Sequence, residues 1–156
     1  MNPAIKVILI LALVVVAYRF SKNPDEESAD THILWSENFN EVLVKAKESN
    51  KNILINFTGS DWCPYCIKLK TEVFSKKPFE KWASENVILF ECDFPRNIKQ
   101  PESIKQQNSS LAQKYGISGF PTVLLIDVNG NVLARSGYRR GGSASWVEFI
   151  ASQLKK

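Results

Sequence analysis

The sequence predicts an α/β domain, a central mixed β-sheet flanked by helices and preceded by an N-terminal hydrophobic segment, and three observations carry that expectation. The first is the uncharged, β-branched run Ile53-Leu54-Ile55-Asn56-Phe57, which leads through a short loop to Trp62-Cys63-Pro64-Tyr65-Cys66 and the helix-like Ile67-Lys68-Leu69-Lys70. The second is Val87 to Phe94, whose first half is apolar throughout, as in a central parallel strand. The third is Asn129-Gly130, a two-residue hairpin signal that pairs Val132-Leu133-Ala134 antiparallel with Val123 to Asp127. Parallel and antiparallel pairings in one chain make the sheet mixed.

At 156 residues, 44% hydrophobic and 23% charged, the chain holds one globular domain and a short extra segment. Its formal charge of +4 is spread among interleaved signs, as in Lys45, Lys47, Glu48 and Lys51, which describes a solvated surface. No basic stripe interleaved with aromatics is present, so nucleic-acid binding is excluded; Arg135, Arg139 and Arg140 form the one basic cluster to test for a partner.

Taken in order, residues 1–20 are a targeting segment: Lys6 and the terminal amine, then Val7 to Ala17 without a charge, then Tyr18-Arg19-Phe20. The run is short for a bilayer span, even counted from Ala4 to Phe20. It serves either as a cleaved signal peptide, with Val15 and Ala17 as the small residues before the cut, or as an uncleaved anchor whose Lys6 and Arg19 reach the two interfaces. Either role puts the globular part outside the cytoplasm, in the periplasm or facing it. Residues 21–30, polar, acidic and containing Pro24, read as a linker.

The domain then occupies residues 31–156, opening on a short strand, Thr31 to Trp35, that contains the lone histidine, His32, as a surface or edge residue. Phe39, Val42, Leu43 and Ala46 recur at helical spacing over 38–49, with Ser36 or Asn38 as the cap. After the cysteines, Leu69, Val73 and Phe74 continue an apolar face until Lys76-Lys77-Pro78 interrupts it, and Phe79 to Glu85 adds a turn or two that packs with Trp82. Pro95 to Ser110 is polar, with little core-forming pattern, and reads as a surface insertion near the rim of the site. Leu111 to Tyr115 is a short helix ended by Gly116, and Ser143 caps a last helix carrying Trp146, Phe149, Ile150 and Leu154.

The chemistry lies in the two cysteines that a buried strand delivers to a helix start. Thiols two residues apart on a first helical turn can close a small ring disulfide, and the leading one, Cys63, sits among backbone N–H groups without helical partners. Those groups and the helix dipole favour a thiolate, the form that attacks disulfides. Pro64, at the first helical position, has no N–H to lose there. Cys66, most of a turn further in, is expected to be the less exposed of the two. Cys63 then attacks a substrate disulfide and Cys66 resolves the mixed disulfide. A zinc site needs more ligands than the chain offers beyond the pair, namely Cys92 and His32. Cys92, the odd third cysteine, reads as a small buried apolar residue in a strand.

Strand, Trp-Cys-x-x-Cys, helix, strand, helix, Gly119-Phe120-Pro121-Thr122, hairpin, helix: this order resembles the thioredoxin superfamily over residues 31–156. The resemblance implies the thioredoxin fold, with Pro121 in a cis peptide bond against the cysteine pair and the Phe120 backbone free to pair with a substrate strand. It makes Phe120, Pro121 and Thr122 one wall of a substrate groove and Trp62 the other, with Pro64 and Tyr65 also facing substrate, and Gly137 as the glycine that keeps the groove open. Gly59-Ser60-Asp61-Trp62-Cys63 and the insert after Asp93 look most like exported bacterial thioredoxin-like proteins. Two features depart from the pattern. Pro64-Tyr65 is similar to glutaredoxin, although the preceding tryptophan and the length are thioredoxin-like. Asn56 stands where thioredoxins usually keep a buried acid, and an amide cannot take up a proton; Glu91 on the neighbouring strand is the candidate proton relay, its face left open by strand parity.

Together these features predict an exported thiol:disulfide oxidoreductase, a reductase or isomerase more than an oxidant, acting on protein disulfides and kept reduced by a membrane or soluble thiol donor. It needs no metal or organic cofactor. Two rival readings stand beside it: a module that holds Cu(I) on its two thiolates, for which Met1 is the only methionine available, and a non-catalytic binding domain.

Overall fold

The computed structural model describes residues 33–154, in which α1 (Phe39–Ser49), β1 (Asn52–Thr58), α2 (Pro64–Leu69), a π-helical turn (Lys70–Phe74), α3 (Lys77–Asn86), β2 (Val87–Asp93), α4 (Glu102–Lys114), β3 (Thr122–Ile126), β4 (Val132–Ser136) and α5 (Gly142–Gln153) follow one another. The N-terminal segment, the linker, Thr31 and His32 lie outside the described residues; among those described, no helix is long and apolar enough to cross a membrane.

The strands make one sheet in the order β2-β1-β3-β4. β1 runs parallel to β2, with Asn56 opposite Glu91, and antiparallel to β3, with Phe57 opposite Thr122. Among the described strands β2 is therefore at the edge rather than central, its outer side met by a single bridge from Ser36. Its unbroken apolar run reflects helices on both faces, which demand apolar side chains whatever the strand's place in the sheet. Alternation sorts β1 and β2 between two cores. Leu54, Val87 and Leu89 pack with Leu69, Phe74, Phe79, Trp146 and Ile150 on one face. Ile53, Ile55, Phe57, Phe90 and Cys92 pack with Phe39, Val42, Leu111 and Tyr115 on the other. Trp146, Phe57, Phe79 and Phe90 are fully buried, and each contributes about 1.5 to 3 kcal/mol of hydrophobic stabilisation.

Local chemistry sets the element ends. Asn38 caps α1, its side chain accepting from the N–H groups of Asn40 and Glu41, and Asn50 ends the helix in the left-handed region at φ 52°.

Four expectations are corrected. The described part of the strand expected at Thr31 to Trp35, residues 33–35, is not a strand: Ile33 and Trp35 pack against one core while Leu34 is 86% exposed, and a single bridge follows between Ser36 and Phe90. The insertion expected over 95–110 is a short loop followed by most of α4. Its inner face is held by amides, with Gln107 accepting from the Phe39 N–H (2.9 Å) and Asn108 donating to the Asp93 carbonyl (2.9 Å). The hairpin is wider than a two-residue turn, because the Asp127 carboxylate gathers the N–H groups of Asn129 (2.8 Å) and Asn131 (2.9 Å) into an Asx-type loop. Gly141, at φ 113°, stands at the start of α5 instead of Ser143, which is buried inside it, accepting from the Phe79 N–H and donating to the Val73 carbonyl.

Candidate active site

β1 ends against the loop that carries the cysteines, and the end of β2 clamps that loop. Asp93 is buried and accepts from the backbone N–H (2.9 Å) and hydroxyl (2.5 Å) of Ser60. The Trp62 indole N–H donates to the Phe94 carbonyl at 2.8 Å. Gly59 is where the chain needs a glycine: a Cβ there would lie 2.5 Å from the Trp62 ring. The Gly59 carbonyl accepts from the Cys63 N–H at 2.9 Å, which turns the chain into α2.

Cys63 is the N-cap of α2, with Pro64 in the first turn, and its Sγ accepts from the Cys66 N–H at 3.2 Å. The two cysteines are joined by a disulfide, Cα to Cα 5.2 Å. Both are 4% exposed, so Cys66 is not the more protected; the bond draws the two sulfurs to one depth at the head of the helix. Pro64 and Tyr65 are exposed, and the Tyr65 ring lies 5.6 Å from that of Tyr138, whose hydroxyl donates to Glu72 at 2.6 Å.

The Phe120-Pro121 peptide is cis. Thr122, the next residue, pairs with Phe57 at the end of β1, and the Phe120 ring stands edge-on to Trp62 at 6.0 Å. The structure thereby brings the 120–122 segment to the loop that carries the cysteines. Gly137 lies against this segment, since a Cβ on it would sit 2.9 Å from the Pro121 carbonyl oxygen.

Behind Cys66 lies a cavity of about 420 Å³, lined by Asn56, Ser60, Cys66, Lys70 and Glu91 among others. Asn56 is 6% exposed, and its Oδ1 has no hydrogen-bond partner. Glu91 shares the parity of Val87 and Leu89 and so faces α2, not solvent. Burial pushes its carboxyl above the ordinary carboxylate range, and Lys70 pulls it part of the way back.

Sequence reasoning missed Arg96, whose guanidinium lies 3.9 Å from the centre of the Trp62 ring, and Asp61, which accepts from the N–H groups of Arg96 (3.0 Å) and Asn97 (2.6 Å). The signal was available only for Asp61, in the Gly-Ser-Asp-Trp-Cys stretch; nothing local links Arg96 to it. The basic run 135–140 is not one patch, because Arg135 donates to the Tyr115 carbonyl and Arg139 lies over Phe149.

Residues 39–146 match the sequence-family model described as a thioredoxin-like domain. The chain is 38% identical over 127 residues to the "Disulfide bond reductase DsbH" of Chlamydia pneumoniae, covering 81% of this chain and 76% of that protein. It is 30% identical over 129 residues to the "Thioredoxin-related protein DsbJ" of the same organism, covering 83% of this chain but only 36% of that longer protein. Among solved structures, "DsbH Oxidoreductase" superposes with a TM-score of 0.76 at 37% identity, over 79% of this chain and 85% of that one.

Proposed function

The chain belongs to the thioredoxin-like family, and on that premise we propose that it is a thiol:disulfide oxidoreductase in which Cys63 is the nucleophile and Cys66 the resolving thiol. The observation that carries this reading is Cys63 at the N-cap of α2, accepting the Cys66 N–H and bonded to Cys66 across the first turn. In the reduced protein the same N–H groups favour a thiolate on Cys63.

The thiolate attacks one sulfur of a substrate disulfide, forming a mixed disulfide and releasing the other substrate sulfur as a thiolate that takes up a proton. Cys66 loses its proton and attacks the Cys63 sulfur, releasing the second substrate thiol. The substrate gains two electrons, and the protein is left with the Cys63–Cys66 disulfide, which a thiol donor must reduce again. Glu91 is the proton acceptor this reading assigns to Cys66, acting through the cavity they share; burial raises its titration and so makes it a stronger base than an exposed carboxylate. Phe120, Pro121 and Thr122 on one side, Trp62 on the other, and Pro64 and Tyr65 beside the sulfurs form the substrate surface, with Gly137 leaving room for the Pro121 carbonyl.

Substrates are proteins bearing disulfides, and the direction is reduction or isomerisation. The domain is residues 31–156, and the apolar run before the linker supports export, as a cleaved signal or a retained anchor. Copper binding is not favoured: Met1 is the sole methionine, and the relative matched over most of its length is named a disulfide bond reductase.

The test is trapping. A Cys66→Ala variant mixed with disulfide-bearing proteins is expected to accumulate mixed disulfides through Cys63, visible as reducible adducts on non-reducing gels and absent from the Cys63→Ala, Cys66→Ala double variant. No adducts, together with no insulin reduction by the wild-type protein, would overturn the assignment.

A further inference from the structure

The surroundings of the disulfide are electrically lopsided. Of the carboxylates around the site, Glu91 lies in the cavity behind Cys66, where burial favours its uncharged form, and three others are already occupied. Asp61 holds the backbone of Arg96 and Asn97, Asp93 holds Ser60, and Glu72 accepts from Tyr138. The cations are not. Among the described residues the sole ion pair is that of Lys105 with Glu102, so neither Arg96 nor Lys68, which lies 5.8 Å from the centre of the Tyr65 ring, has a carboxylate partner there.

Arg96 is the better prepared of the two. Its guanidinium carbon lies over Trp62, the residue before Cys63, 3.9 Å from the ring centre, and the backbone N–H groups of Arg96 and Asn97 are both pinned by Asp61. An arginine stacked on an aromatic face has lost much of its rotamer freedom and keeps its N–H edge for an acceptor, so pairing with an arriving carboxylate costs little further ordering.

We propose that Arg96 is a specificity-determining residue, selecting disulfide-bearing peptides that carry an aspartate or glutamate close to the reacting cysteine. The inference rests on the oxidoreductase reading and adds the charge of the preferred substrate. Because the guanidinium is exposed, the preference is modest, acts mainly on encounter, and weakens with salt.

The experiment uses the reduced full chain and two synthetic peptide disulfides that differ only in a glutamate or a lysine beside the cysteine, with reduction rates followed by tryptophan fluorescence. The wild-type protein is expected to reduce the glutamate peptide about fivefold faster at low ionic strength, the size of one exposed ion pair, with the ratio falling towards one in high salt. Arg96→Gln should bring the ratio close to one, and Arg96→Glu should invert it, which loss of a merely structural contact would not do. Lys99→Gln, a charge removed from the same loop, should leave the ratio in place. Equal rates for both peptides, or the wild-type ratio retained in Arg96→Gln, would overturn the role of Arg96 alone. Reduction of neither peptide would overturn the oxidoreductase reading and this inference with it.

Discussion

Glu91 shows how much one side chain's setting changes its chemistry. The carboxyl shares a cavity with Cys66 and the unpartnered amide oxygen of Asn56, and burial holds its proton to a higher pH than an open chain would. Between the unfolded and the folded titration the native state binds more protons, so stability falls as pH rises through that window and levels off above it. Glu91→Gln removes the titration. Its urea midpoint, compared with wild type from acidic to neutral pH, is expected to match at the acidic end and exceed wild type at the neutral end. Parallel profiles would show that the carboxyl is not held in its protonated form by the fold. The face taken by Glu91 was not legible in the sequence, because Ile88 and Phe90 are as apolar as Val87 and Leu89 and either parity could have been the one turned to α2. Cys63, Cys66 and Pro121 were legible, since each is a residue type with few other reasons to stand where it does.

At the scale of elements, α4 marks the limit of hydrophobic pattern as a guide. Its inner face is built on Asn108, 1% exposed, which donates to the Asp93 carbonyl at 2.9 Å, and on Gln107, which reaches the start of α1. Its one buried apolar residue, Leu111, comes near its end, so the stretch before it carries no apolar period to read, which is why a loop was expected there. Asn108 also supports the backbone of the residue whose carboxylate clamps Ser60. Asn108→Leu keeps the volume and removes the donor, leaving a buried carbonyl unpaired, and is expected to cost about 1 to 3 kcal/mol in denaturant unfolding. A loss below a few tenths would mean that the amide pairing does not hold α4 in place. The start of α5 slipped for a related reason, since Ser143 spends its side chain on Phe79 and Val73 far back in the chain. The hairpin, by contrast, widened through a local contact, the Asp127 carboxylate gathering Asn129 and Asn131.

For the whole molecule, the sheet divides the cysteines into two environments. Cys63 and Cys66 stand at the head of a helix beyond the end of β1, while Cys92 is fully buried in the opposite core, its thiol pushed up by burial. With reduced native protein, a thiol reagent at neutral pH is expected to label Cys63 quickly and leave Cys92 silent until global unfolding exposes it. Labelling of Cys92 at the rate of a free thiol in the folded state would show that this core opens locally. The sequence by itself determined the elements whose signals are local: the buried β1 run, the cysteines at a helix start, the helix break at proline and the left-handed end at Gly116. Tertiary structure alone decided that β2 lies at the edge of the described strands, that Glu91 faces Cys66, that a polar segment is a helix and that Arg96 lies on Trp62. Each of these joins residues far apart in the chain, and their energy comes from burial and pairing across that distance, which no window of neighbouring residues contains.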